Sequence, residues 1–137
     1  MNITEEMHID KLAFIELRNR KVLETKSKGK DTWYIPGGKR DVGESDEQAL
    51  IREIKEELNV DIDPTTIVYY GTFTAQAHGK PEGTMVRMTC YQAKYSGELR
   101  SSAEIEHMDW FDYSKKELTS PVDHLIFDDL RAKNLID

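Results

Sequence analysis

Apolar and polar positions along this 137-residue chain divide it mainly into short alternating or β-prone runs, with two stretches of helical period. Residues 11–17 (KLAFIEL) and 21–26 (KVLETK) flank the polar turn Arg18-Asn19-Arg20, a pattern that predicts a hairpin. Residues 33–35 (WYI) predict a short strand ended by Pro36-Gly37-Gly38. Residues 66–77 and 84–95 predict two long strands separated by the loop 78–83 (HGKPEG), and residues 105–113 predict another. Turn chemistry occupies 61–65. Val122, Leu125, Ile126 and Leu130 recur at helical spacing, so 122–133 is expected to be a helix. With no repeat, low-complexity segment or linker, the expectation is one domain over residues 1–137, of the α/β (α+β) class.

The central helix can be read in more detail. Ser45 followed by Gln48 is a capping-box pattern, so the helix should begin at Asp46, with Asp46 and Glu47 favoured by the helix dipole. Leu50, Ile51, Ile54 and Leu58 form the stripe expected to face the core. Glu53, Glu56 and Glu57 share a neighbouring stripe, and Ala49 is expected one turn before Glu53, leaving space above the carboxylates. Asn59, a residue that tolerates the left-handed conformation, is expected to close the helix.

Charge and cysteine content narrow the function classes. A net charge of −7 argues against coating duplex nucleic acid, yet not against a small phosphorylated ligand, because a divalent cation inverts the sign of an acidic site. The single cysteine, Cys90, excludes an intramolecular disulfide and suits a reducing compartment. The opening MNITEEMHID is acidic where a signal peptide would be basic and then apolar, and no apolar run approaches membrane-spanning length. The expectation is a soluble cytoplasmic protein, monomer or homodimer.

Like-charged carboxylates at helical spacing repel, so something should offset Glu53, Glu56 and Glu57. Two readings fit an acidic stripe by itself: a solvated face partnered by Arg52 and Lys55, or a site for a hard cation such as Mg²⁺ or Mn²⁺. The surrounding string decides between them. Gly38, five residues, Glu44, seven residues, Arg52-Glu53, two residues, Glu56-Glu57 and then Val60 would match by chance on the order of once in ten thousand chains at ordinary residue frequencies.

This string resembles the Nudix box, the signature of the Nudix hydrolases, with Asn59 standing where the pattern has glycine. The resemblance implies an α/β/α sandwich around a mixed sheet. It also implies metal-dependent hydrolysis of a nucleoside diphosphate linked to another group. Nucleoside triphosphates, canonical or oxidised, rank above ADP-ribose, nucleotide sugars or dinucleotides; a non-catalytic nucleotide-binding regulator is the other class. It points to Glu53 and Glu57 as leading ligands of Mg²⁺ (or Mn²⁺), with Glu56 close behind, Glu44 direct or through water, and the Gly38 carbonyl. Arg52 is read as a guanidinium fork that orients the box carboxylates. For the base that activates water, Glu104, six residues before Trp110, is the first candidate, with Glu106, Glu98 and Glu53 as alternatives. Lys39 is a candidate for substrate phosphate. Phe73, Arg87 and Tyr91 are candidates for stacking a base, if their strands turn those side chains toward the box.

Overall fold

The computed structural model describes residues 7–137, and for Met7 its backbone only. The acidic opening read above lies, over residues 1–6, outside the described residues. Among the described residues there are nine strands: β1 (Met7–Phe14), β2 (Leu17–Arg18), β3 (Lys21–Ser27), β4 (Gly37–Gly38), β5 (Asp61–Ile62), β6 (Val68–Gln76), β7 (Thr84–Gln92), β8 (Tyr95–Ser96) and β9 (Ile105–Phe111). The helices are α1 (Asp46–Leu58) and α2 (Pro121–Ala132). One mixed sheet has the order β4-β1-β7-β6, in which β1 and β7 run parallel; β2-β3-β9 and β5-β8 form smaller antiparallel sheets.

Strand alternation sends side chains to two cores. Leu12 and Phe14 of β1 join Leu50, Ile54 and Leu58 of α1, while Ala13 joins Val86, Met88 and Cys90 of β7 against Val122, Ile126, Phe127 and Leu130 of α2. The result is the expected α/β/α layering, with a helix on either side of sheet. α2 starts one residue earlier than its apolar spacing suggests because Pro121 suits the first helical position.

The hairpin turn is present but its first arm is not the one expected. Asn19 (φ 53°) and Arg20 (φ 61°) turn the chain so that Leu17 meets Val22 and Arg18 meets Lys21. Residues 11–14, however, belong to β1, which pairs in parallel with β7 from Met7↔Thr84 to Phe14↔Tyr91. Residues 33–35 also fail to form a strand, because their amides go to three different places: Trp33 to the Leu118 carbonyl, Tyr34 to the Thr25 carbonyl and Ile35 to the Asp123 carboxylate. Asp63 caps a single 3₁₀ turn at Pro64–Thr66, which delays β6 to Val68.

Candidate active site

The acidic helix is built as its local chemistry dictates. Ser45 accepts from the Gln48 amide while the Gln48 side chain accepts from the Ser45 amide, and Asn59 ends the helix in the left-handed region at φ 62°, ψ 31°. Asparagine thus does what glycine does in the box pattern. Ala49 departs from expectation: it is fully buried against the sheet with Leu50 and Ile54, so it does not open space above the carboxylates. The apolar stripe is one residue wider than the sequence suggests.

Arg52 is the hub. Its Nε and one terminal nitrogen grip both Glu44 oxygens at 2.7 and 2.8 Å, its other terminal nitrogen meets Glu53 at 2.8 Å, and the fork also donates to the Lys39 carbonyl at 3.0 Å. Glu44 further accepts from the Asp41 amide at 2.7 Å. These bonds hold its carboxyl down to about 2, and they occupy both oxygens. Glu44 therefore ties the loop to the helix. Glu56 lies farther out, half-exposed, 3.4 Å from Arg52.

Glu57 is buried at 7% exposure, with one oxygen receiving the Gly37 amide at 3.1 Å. Burial first, then the neighbouring charges of Glu53, Glu104 and Glu56, push its carboxyl up to about 8 against the pull of the Gly37 amide. Burial also raises Glu53, opposed by Arg52 and reinforced by Glu56 and Glu104. The two glycines let the chain come this close. A Cβ on Gly38 would lie 2.3 Å from a Glu53 oxygen, and one on Gly37 would lie 1.9 Å from the Leu12 carbonyl oxygen.

Glu104 reaches the same place from the other end of the chain. Arg100 donates to the Leu58 carbonyl (3.0 Å), Ser102 donates its amide to the Glu57 carbonyl (2.9 Å), and its hydroxyl donates to the Glu56 carbonyl. The loop thereby satisfies carbonyls that a helix C-terminus leaves open, and Ala103, at φ 55°, turns the chain into Glu104. Glu104 and Glu57, with Gly37 and Gly38, line one cavity of about 310 Å³ that Lys28 and Lys30 also line, the Lys28 amide donating to the Glu104 carbonyl at 2.9 Å. A second, narrower cavity between β1, β7 and the start of α2 is lined by Ile9, Val86, His78, Ser120 and Val122; Lys11, Tyr34 and Met88 border both.

Among the described residues, no three acidic or histidine side chains already form a ligand cluster. The donor set nevertheless fits a divalent cation, because Glu53, Glu56, Glu57 and Glu104 crowd together here and, of these four, Arg52 is ion-paired to Glu53 and Glu56 only, among the described residues.

A model of the NUDIX domain matches residues 8–127. The chain belongs to the NUDIX family. A curated relative from Proteus vulgaris, named 8-oxo-dGTP diphosphatase, is 44% identical over 79 residues, a stretch spanning 56% of this chain and 66% of that relative. Among solved structures, the solution structure of the E. coli ORF135 protein is 24% identical with a TM-score of 0.71, covering 96% of each chain. The crystal structure of a MutT NUDIX hydrolase from Burkholderia pseudomallei is 26% identical with a TM-score of 0.68, covering 88% of this chain and 93% of that one.

Within this Nudix domain, other expected residues fall away from the cavities. Phe73 faces the α2 side, where its ring stacks on Tyr70. Arg87 is ion-paired to Asp10 at 2.8 Å on the opposite face. Tyr91 is buried beneath α1 and donates its hydroxyl to Asp46 at 2.8 Å. Strand parity explains all three: Phe73 pairs with Met88, which points to α2, whereas Arg87 and Tyr91 point to the α1 face. Lys39 is exposed, and its carbonyl is held by Arg52. Glu106 pairs with Lys26 and His107, and Glu98 is exposed. The residues that sequence reasoning passed over are Lys11, Lys28, Lys30, Tyr34 and Ser120. Lys11 carried a usable signal, the spacing Ile9-x-Lys11-x-Ala13, which sets a cation in an inward row.

Proposed function

We propose that this Nudix domain, spanning residues 1–137, is a pyrophosphohydrolase that adds water across a diphosphate bridge of a nucleoside diphosphate linked to another group. A nucleoside triphosphate, canonical or oxidised, is the leading substrate, and nucleoside monophosphate and pyrophosphate are the products. The observation that carries this reading is the meeting of Glu57 and Glu104 at one cavity with Gly37 and Gly38, beside Glu53, in a place where burial and neighbouring acids raise Glu53 and Glu57. The name of the Proteus vulgaris relative supports the choice of an oxidised purine nucleotide as the first substrate to try.

Glu53 and Glu57, with Glu56 and the Gly38 carbonyl, would hold Mg²⁺ or Mn²⁺. Such an ion would neutralise phosphate oxygens and make bound water more acidic. Arg52 keeps Glu53 aimed by a charge-assisted hydrogen bond and is a positioning residue. Glu104 would take the proton of the attacking water from across the cavity, Lys28 and Lys30 would attract the distal phosphates, and the nucleoside would enter the narrower cavity beside Tyr34.

The test is a screen for pyrophosphate and phosphate release. It covers canonical and oxidised triphosphates, nucleotide sugars, ADP-ribose and dinucleotides, with Mg²⁺, with Mn²⁺ and with excess chelator. Triphosphate turnover that vanishes with chelator is expected. Turnover undiminished in chelator would refute the metal-assisted reading.

A further inference from the structure

Strand β1 sends Ile9 and Ala13 into the α2-side core, and Lys11 lies between them in the same row, paired across the sheet with Met88. An ammonium at such a position costs free energy unless an anion or several acceptors meet it. Lys11 is half-buried, and among the described residues it forms no ion pair; its contact is the Tyr34 ring, 5.8 Å from Nζ to the centroid. Burial lowers its pKa, Lys39 and Lys80 lower it further, and the charges of Asp123 and Glu57 raise it without touching it. Its position is equally specific, since it borders both the carboxylate-lined cavity and the narrower one.

We propose that Lys11 is the binding residue for the phosphate attached to the sugar, holding its non-bridging oxygens at the seam between the two cavities. This rests on the reading above, in which the nucleoside occupies the narrower cavity and the polyphosphate the wider one. The phosphate next to the sugar is the group that must cross the seam, and it bears the charge that Lys11 lacks. Lys28 and Lys30 border only the wider cavity and Lys80 only the narrower one, so among the described residues Lys11 is the lysine common to both, where the first phosphate lies; the distal phosphates fall to Lys28 and Lys30. The consequence is a preference for nucleotides over nucleosides that needs no metal.

The experiment measures binding of 8-oxo-dGMP and of its nucleoside, 8-oxodeoxyguanosine, by calorimetry in chelator, with wild type, Lys11→Met and Lys11→Arg. Methionine keeps the length of the side chain and suits the apolar row, and a thermal melt of each variant checks folding. Lys11→Met should weaken the monophosphate about ten- to a hundredfold, as loss of one charge-assisted contact does, and leave the nucleoside within about twofold. Lys11→Arg should recover part of the loss. In turnover with saturating metal, Lys11→Met should raise KM for the triphosphate with kcat little changed. Equal weakening of nucleoside and monophosphate would assign Lys11 to the base and overturn the proposal, as would an unchanged monophosphate affinity. If wild type binds neither probe, the nucleotide reading of the two cavities falls, and the proposal with it.

Discussion

Glu24→Met should stabilise this protein, and increasingly so as pH rises. Glu24 and Asp123 are both fully buried, between β3 and the first turn of α2. Neither Glu24 oxygen meets a donor when both acids are ionised, but a protonated Glu24 shares its proton with Asp123, whose other oxygen accepts from the Ile35 amide at 2.9 Å. Burial raises both carboxyls, and the Asp123 charge raises Glu24 further. Lys11 eases Asp123 downward, and Tyr34 and Cys90 also feel its charge. A raised carboxyl gives its full stability below the ordinary carboxyl range, near pH 4, and loses it as pH rises through the folded value. Each extra proton held by the folded chain costs about 1.4 kcal/mol per pH unit over that window.

At pH 5, where Glu24 is protonated and shares its proton with Asp123, the substitution should change stability by no more than about 1.5 kcal/mol. The advantage should then grow by up to about 1.4 kcal/mol for each pH unit over which the folded protein keeps that proton, with Tm moving about 3–5 °C per kcal/mol in a chain of this size. Glu24→Gln keeps a buried polar group while removing the charge, so it should gain only at the upper end. Melts of metal-free wild type and both variants from pH 5 to 9 test this, and the other raised carboxyls, Glu53 and Glu57, cancel in the differences. A Glu24→Met variant that loses stability equally at every pH would refute the reasoning and make the acid pair a net stabilising contact.

Glu104→Gln should lower kcat about a hundredfold to ten-thousandfold at saturating metal, the range of a positioned base, while Glu106→Gln and Glu98→Gln stay near wild type; a near-normal Glu104→Gln would hand the role to a box carboxylate. Gly38→Ala should keep its fold but lose activity, because the end of the Glu53 side chain can swing away from the added methyl. Gly37→Ala meets backbone instead and should lower Tm as well, by an overpacking cost of about 1–3 kcal/mol or more; the two are compared by melts and turnover side by side. Glu57→Gln should abolish most turnover without lowering the melting temperature of the metal-free protein, whereas Leu50→Ala, fully buried, should cost about 2–5 kcal/mol and spare activity per folded molecule.

What could be read in the sequence was local. Ser45, Gln48, Asn59 and the stripe Leu50, Ile54, Leu58 lie within one helix, and a period and two caps define it. The Asn19-Arg20 turn is local too, which is why its position was legible while its first arm was not: β1 pairs in parallel with a strand far along the chain, and no short-range pattern announces such a partner. The same gap explains Phe73, Arg87 and Tyr91. Their types suited a ligand, but only the register across β6 and β7 decides which face each one takes. Lys11 was passed over for the converse reason, since a lysine at the start of a strand reads as an exposed end until parity places it inward.

Arg100 and Ser102 donate to the last carbonyls of α1, and this has a consequence for how the site comes apart. A helix end normally frays by itself, turn by turn, in exchange with water. Here the final turn cannot loosen without releasing the loop that leads to Glu104, and the loop cannot lift without exposing the end of the helix. Two segments remote in sequence thus share one opening event. Heat or denaturant meets a centre that is either whole or dismantled, and a partly assembled one, with ligands in place and base astray, has no stable existence.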